Sequence, residues 1–452
     1  MSFGHRSAPP TRGFTTEQSM PRTMTSADGR EPAGFYEASA GAAARFAPLL
    51  GEQSTDVCVI GGGLSGLAAA LELRERGYSV VLLESHAIGA GASGRNGGQV
   101  GSGQRLDVMD LEQCFGLSQA RTLWNMAEEA KAIIARRIEE HAIECHWRAG
   151  NLMAITRQSL VADAYRETEY LHHRYDYDRL QMLDMGQMHR RVSSTEYVAG
   201  CLDHGGGHLH PLLYVRGLAR AAHDAGVDIY EQSPALRLQW GARNTVITPQ
   251  GVVQAGHVLL CCNGYLDETL EPRIARRIAS IVCHQIATES LGAERARALI
   301  VDDCCVYSSK RVLDYFRLSH DHRLIFGGGQ NYLRVPSGDS AASVRRCMLD
   351  VFPQLHDVRI DYTWSGRVCI TMDRMPEFGR VGSNGWFVHG FSGHGVALSQ
   401  LAGRLLAEAV AGSAERFDVF AKMPHRTFPR SAWLRQPLLA AGLMWQLLRD
   451  RL

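Results

Sequence analysis

Three features of this 452-residue sequence predict an α/β fold with a nucleotide-binding core. An apolar run at 56–60 leads directly into Gly61-Gly62-Gly63-Leu64-Ser65-Gly66 and a helical pattern at 67–76. A second apolar run, 79–83, ends in the acid Glu84. A further glycine-rich stretch, 390–395, opens another helix near the far end of the chain. Apolar runs without alternation mark strands buried on both faces, as in parallel sheets. Strand, glycine turn, helix, strand and acid in that order make a βαβ unit with a right-handed connection.

Each part of the unit has a physical reason. Gly61 permits the tight turn, Gly63 lets backbone approach a pyrophosphate, and Gly66 lets the helix pack closely on the strand. Leu64 and Ser65 offer free N–H groups and the positive end of the helix dipole to phosphates. Gly77 closes the helix. Glu84, with Ser85 beside it, stands where a ribose diol would lie; a carboxylate there accepts from hydroxyls and repels a 2′-phosphate, which argues against NADP.

The segment 88–99, Ile-Gly-Ala-Gly-Ala-Ser-Gly-Arg-Asn-Gly-Gly-Gln, is too rich in small residues for a packed helix or central strand. It predicts extended backbone laid along a long cofactor, with Ala92, Ser93, Arg95, Asn96, Gly97 and Gly98 in contact. No second glycine fingerprint follows a strand, so a separate NAD(P)H domain is not expected. One FAD, reduced directly by the substrate, is the simplest reading. At the far end, Gly393, His394, Gly395 and Val396 open the helix 396–410. Its N-terminus can stabilise negative charge on a reduced flavin, with His394 as a further donor.

Between these motifs the pattern predicts a long amphipathic helix over 117–138 and a second over 212–226, opened by Pro211 and closed by Gly226. Strands follow at 227–230 and 258–260, and alternating strands at 315–318 and 324–326. The parts do not fall into consecutive blocks. The expected organisation is therefore a Rossmann-type domain from 35–112, 198–272 and 362–425, interleaved with a strand-rich substrate domain from 113–197 and 273–361. A disordered tail (1–34) and a C-terminal amphipathic segment (426–452) complete the chain. Within the latter, 437–448 suits docking on the body, a dimer contact or a membrane-surface foot.

Composition excludes several classes. Lys+Arg 48 against Asp+Glu 47 leaves a net charge of +1, with no electrostatic footprint for nucleic acid. Eleven cysteines without any C-x-x-C predict reduced, buried thiols and neither a metal site nor a disulfide reductase. Residues 1–34 contain no apolar stretch of the secretory type, and no apolar run reaches the ~18 residues of a membrane span. A cytoplasmic protein, with homo-oligomers possible, is the expectation.

Together the segments DVCVIGGGLSGLAAALELRERGYSVVLLE, IGAGASGRNGGQ, WSGRVCITMDRMPEFG and GFSGHGV resemble the D-amino-acid oxidase superfamily of FAD enzymes. Within it the chain is most similar to the bacterial γ-glutamylputrescine oxidoreductases, through FYEASA, LDHGGGHLHP, LDYFRLSHDHRLIFGGG, AERFDVFAKMPH and LRDRL. The resemblance runs from Phe35 to the end. It implies a discontinuous FAD domain roofed by an antiparallel substrate sheet, with Ala235 and Gly264 among the FAD contacts. It implies amine oxidation by hydride transfer to flavin N5, imine hydrolysis to aldehyde and ammonia, and reoxidation by O2 to give H2O2.

The same resemblance makes Trp364 and Tyr315 candidates to line the pocket around the reacting amine, and Arg317 and Arg367 candidates to bind a substrate carboxylate. His210 reads as a structural histidine. Family members that hold FAD covalently use a histidine where this chain has Ser93-Gly94-Arg95-Asn96, or a cysteine upstream of T-x-D. Cys369 is off that register, so the FAD is expected to be non-covalent. Sarcosine oxidases place an oxygen-activating lysine on the substrate sheet, and 324–326 carries none. Two other functions stay open: an FAD dehydrogenase for a D-amino or N-methylated amino acid, passing electrons to a quinone or carrier, and a flavin-binding protein without turnover.

Overall fold

The computed structural model describes residues 34–310, 312–328 and 340–428. The tail and the stretch 437–448 lie outside the described residues. The first apolar run is part of a longer strand, Gly51–Ile60, whose polar first half is strand because it pairs residue by residue with Gly251–Leu260. Parallel neighbours Val80–Leu83, Asp228–Tyr230 and Gly385–His389 extend it, with Glu377–Val381 antiparallel at one edge. Arg237–Gln239 and Asn244–Ile247 add a hairpin, making eight strands. Val57, Cys58 and Val59 are fully buried, as a doubly covered strand requires.

Helix Leu64–Glu75 follows the glycine turn and packs against Gly395–Val410, which also packs on Leu117–Glu140. Gly403 lies directly on Ala68 and Ala69, so any side chain there would separate the two helices. Glu72, on the buried face, accepts from Arg76 at 2.8 Å, Arg137 at 3.0 Å and Arg404 at 3.1 Å. Burial alone would raise this carboxyl; the three guanidiniums hold it below its ordinary value. The long helix thus carries a buried arginine, Arg137, that ties it to the nucleotide-binding unit.

The second sheet has nine strands. In order they are Ile360–Ile370, Ala279–Thr288, Leu324–Gly327, Tyr315–Leu318, Cys305–Ser308, Arg148–Ile155, Ala199–His208 and Gln99–Val100, with Leu180–Leu183 also paired to Ala199–His208. All pairs are antiparallel except Cys305–Ser308 with Arg148–Ile155. One face buries Leu152, Leu202, Ile286, Val306, Phe316 and Phe326 against helix Ser340–Val351. Successive side chains alternate between faces, so the residues between these point the other way.

Two expectations need correction. The sequence segmentation gave 99–100, 199–208 and 362–370 to the Rossmann-type domain, but these strands belong to the second sheet. Glycine motifs marked the crossovers, whereas strand pairing decides membership. The second correction is the segment 88–99, which is not extended throughout. Residues Ala92–Arg95 form a helical turn that packs on Pro211–Asp224, where side chains at Gly89 and Gly94 would strike Val215 at 2.6 Å and Leu212 at 2.8 Å. Among the described residues no helix is long and apolar enough to cross a membrane.

Candidate functional site

The turn after Gly51–Ile60 is shaped by contacts that only glycine allows. Gly61 has φ +112°, and a Cβ there would lie 2.8 Å from the Cys261 carbonyl oxygen. A Cβ on Gly66 would collide with the Gly61 carbonyl, so strand and helix touch through backbone. Glu84 leaves the second strand with its Oε2 accepting from Gly62 N at 2.8 Å and its Oε1 from His86 N at 2.9 Å. Ser85 donates to Glu84 at 3.2 Å and is exposed. The carboxylate is thus held at the turn, at the end of the parallel strands where such folds bind a ribose.

The second loop closes on the first. Ser93 Oγ accepts from Leu64 N at 3.0 Å and lies 2.6 Å from the Cβ that Gly63 lacks. Ser65 is buried beside Cys261, and Val396 is buried at the start of its helix. Arg95 and Asn96, expected as cofactor contacts, help to hold the loop's own conformation. Arg95 donates to Ala90 O at 2.9 Å and pairs with Glu37 at 2.9 Å. Asn96 donates to Ala92 O at 3.0 Å and Ser93 O at 2.9 Å, and its Oδ1 accepts from Gly98 N at 2.8 Å. Gly98, at φ +73°, presses on the Leu209 carbonyl.

Gly264 sits under Ser280 and Cys369, while Ala235 is half-buried with Tyr230 and Leu238 against the core of the first sheet. At the far motif Gly393 has φ +101° and open space beside it. His394 caps the helix Gly395–Val410. Burial, with Arg105 adding like charge, pushes its imidazole down to about 4, so it is neutral near pH 7. Its Nδ1 is buried and has no hydrogen-bond partner. Asn151 Oδ1 and Gln285 Oε1 are orphaned in the same way. Buried polar atoms without partners are costly. Glycine cradles and unpaired donors and acceptors on both sides of one loop fit a long polar cofactor such as FAD.

The other face of the second sheet presents one continuous row. Trp364 pairs with Gln285, Gln285 with Gly327, Gly327 with Tyr315, Tyr315 with Tyr307, Tyr307 with Met153, and Met153 with Cys201. The Tyr315 ring lies over Gly327 and 3.1 Å from where a Gly97 side chain would start. Trp364 Nε1 donates to Arg95 O at 3.2 Å, and its ring meets Tyr36 at 5.1 Å between centroids. Both predicted aromatics therefore stand on one face and touch the 95–97 loop.

The two arginines stand in different surroundings. Arg317 is 4% exposed and bonded through each of its three nitrogens: Nε donates to Gly97 O at 2.9 Å, Nη1 to Leu318 O at 3.0 Å and Nη2 to Tyr36 Oη at 3.1 Å. It braces the loop through Gly97 and Tyr36. Arg367 is exposed, with its guanidinium 5.3 Å above the Tyr265 ring. Tyr265 in turn lies against Gly91, which brings Arg367 near the start of the small-residue loop.

His210 is the structural histidine expected. Its Nδ1 accepts from Leu213 N at 3.2 Å as a helix cap, which leaves the proton on Nε2, 3.0 Å from Ser39 Oγ. Ser39 passes a hydrogen bond to Phe35 O at 2.7 Å. Tyr36, Gln285, Tyr307 and Asn151 escaped the sequence reading. The only signal for Tyr36 was its place in FYEASA; the others declare themselves through strand register.

The family described as FAD dependent oxidoreductase (DAO) matches residues 56–409. The chain is 41% identical over 418 residues to "Gamma-glutamylputrescine oxidoreductase" of Escherichia coli K12, covering 92% of this chain and 98% of that one. It is 39% identical to "Probable oxidoreductase OrdL" of Haemophilus influenzae, over 83% of this chain and 87% of the relative. Among solved structures, glycine oxidase from Geobacillus kaustophilus superposes with a TM-score of 0.68 at 21% identity, over 79% of this chain and 95% of the other. The expected superfamily, fold and cofactor are those of these relatives: the chain belongs to the DAO family of FAD-dependent oxidoreductases.

Proposed function

We propose that the chain oxidises γ-glutamylputrescine, or a related ω-amine, at the carbon bearing the free amine. The product imine is hydrolysed to aldehyde and ammonia. Similarity to a γ-glutamylputrescine oxidoreductase over nearly the whole chain carries this reading. FAD, when bound, would supply the two-electron acceptor for hydride from the carbon beside nitrogen, with O2 as the reoxidant giving H2O2. The protein's own part is positioning and dryness.

Glu84 and the 61–66 turn would hold the ribose and pyrophosphate, and His394 with Asn151 would meet the flavin end. Tyr315, Tyr307 and Trp364 would line the amine's approach, keeping water from the reacting carbon.

The test is anaerobic. Purified yellow protein is mixed with γ-glutamylputrescine and the flavin absorbance followed; bleaching is expected, with colour and peroxide appearing on admission of air. An unmoved spectrum with γ-glutamylputrescine and with a panel of ω-amines sinks the reading. Bleaching that air does not reverse replaces O2 by another acceptor.

A further inference from the structure

Gln285 grips the cofactor loop with one half of its amide and leaves the other half unused. It stands on strand Ala279–Thr288 and is 2% exposed. Its Nε2 donates to Arg95 O at 2.7 Å. A carbonyl oxygen only accepts, so the NH2 group must be the half that faces Arg95, and the orientation of the amide is fixed. Oε1 is therefore turned away from the loop backbone, and there it is buried with no hydrogen-bond partner among the described residues. A buried acceptor left unmet is costly, and what meets it must bring an N–H or O–H.

The surroundings narrow the ligand. Across the strands Gln285 faces Trp364 on one side and Gly327 on the other. A side chain on Gly327 would start 2.5 Å from Tyr315 Oη, so the tyrosine ring fills the place beside Gln285. Burial holds Tyr315 well above the usual phenol range, and its hydroxyl keeps its proton. The free oxygen thus lies between an indole and a phenol, in a row from Trp364 to Cys201 that carries no carboxylate. Flat apolar rings suit the methylenes of an alkyl chain, and the one fixed acceptor between them suits an N–H at its end. The orphaned atoms of Asn151 and His394 belong to another part of the loop. A side chain on Gly101 would start 3.5 Å from Asn151 Nδ2 and 4.0 Å from His394 Nε2, whereas Gln285 meets the loop at Arg95.

We propose that Gln285 Oε1 accepts an N–H of the substrate's reacting amino group, between Trp364 and Tyr315, and so sets the specificity for primary amines. This rests on the amine-oxidation reading and names the group that orients the nitrogen. The acceptor is in place before the substrate arrives, because Arg95 O holds the other end of the amide. A site built around one hydrogen bond discriminates strongly against a ligand that cannot make it. A nitrogen that carries only alkyl groups leaves Oε1 buried and unmet.

Two variants separate the oxygen from the loop contact. Gln285→Met removes both halves of the amide. Gln285→Glu also removes the NH2 group but keeps an oxygen that accepts. The holoenzyme is reduced beforehand with dithionite under argon, so that no electrons can pass and n-butylamine is a ligand only. Calorimetric titration should give a Kd about tenfold higher in Q285M, and in Q285E one within about threefold of wild type or lower. A Q285E protein that binds no better than Q285M assigns the effect to the Arg95 contact and overturns the proposal. So does a Q285M protein that binds like wild type.

A second ligand checks the N–H itself. n-Butyltrimethylammonium carries none at any pH, so the preference of wild type for n-butylamine over it should fall about tenfold in Q285M. An unchanged preference overturns the proposal. FAD titration of the apoproteins runs beside these measurements. A tenfold loss of FAD affinity in Q285M with n-butylamine binding unmoved gives the oxygen to the cofactor and also overturns it. Gln285-dependent n-butylamine binding in a protein whose oxidised flavin no amine bleaches refutes the reaction and leaves the acceptor site standing.

Discussion

Trp364 Nε1 and Gln285 Nε2 donate to one oxygen, the Arg95 carbonyl, at 3.2 Å and 2.7 Å. The two residues face each other across antiparallel strands, so the second sheet grips the 95–97 loop through a paired clamp. Trp364→Phe keeps the ring against Tyr36 and removes one donor of two, which should cost about 1 kcal/mol. W364F combined with Gln285→Leu leaves the carbonyl without either donor. Its loss should exceed the sum of the singles by about 1 kcal/mol, because neighbours sharing a partner do not add. Denaturant unfolding of the four proteins, with FAD titration beside it, checks this; strict additivity refutes the shared clamp.

Glu84 links the turn to the cofactor. Its two oxygens already hold Gly62 N and His86 N, so the carboxylate is fixed before any ribose arrives. Glu84→Ala should weaken FAD binding about 10- to 100-fold, the worth of charged hydrogen bonds at a prearranged acceptor. Glu84→Gln keeps one acceptor and should fall between. Flavin fluorescence during titration of the apoprotein gives the dissociation constants, and equal values for all three proteins would remove Glu84 from the site.

Local motifs were legible in the sequence wherever chemistry forces a residue type. Gly61, Gly66 and Glu84 stand where backbone contact and strand ends put them, and the helices near 117–140 and 211–224 follow from periodicity. Long-range pairing was not legible. Residues 199–208 carry an apolar-then-glycine pattern that says strand but not which sheet, and only the register with 148–155 settles it. The commitments of Arg317 were equally hidden. A guanidinium on a strand looks available until Gly97 and Tyr36, far away in sequence, fold onto it.

The buried histidines predict acid sensitivity. Burial pushes His208 down to about 3 and His210 down to about 2, in each case with Arg317 adding like charge. Both lie below the unfolded value near 6.5, so the unfolded chain takes up protons first as pH falls through that value. Stability should therefore be flat above pH 7 and decline below about 6.5, each histidine adding up to ~1.4 kcal/mol per pH unit. His210→Asn can still cap the helix at Leu213 but cannot titrate. Melting temperatures between pH 5 and 8 should show a shallower acid decline in H210N; identical slopes refute His210 as a contributor.

Cys369 decides how the flavin is held. It is buried beside Gly264, and burial pushes its thiol up to about 12, so no thiolate forms near neutral pH to attack a flavin. The 93–96 segment, Ser-Gly-Arg-Asn, supplies no other nucleophile of the kind that attaches FAD. Acid precipitation of the holoprotein should therefore release all its yellow colour into the supernatant. Cys369→Ala should bind flavin in the same amount. Colour retained in the pellet by the parent protein and lost from it in C369A would establish a covalent link through Cys369, and with it a local route to a reactive thiolate that burial alone forbids.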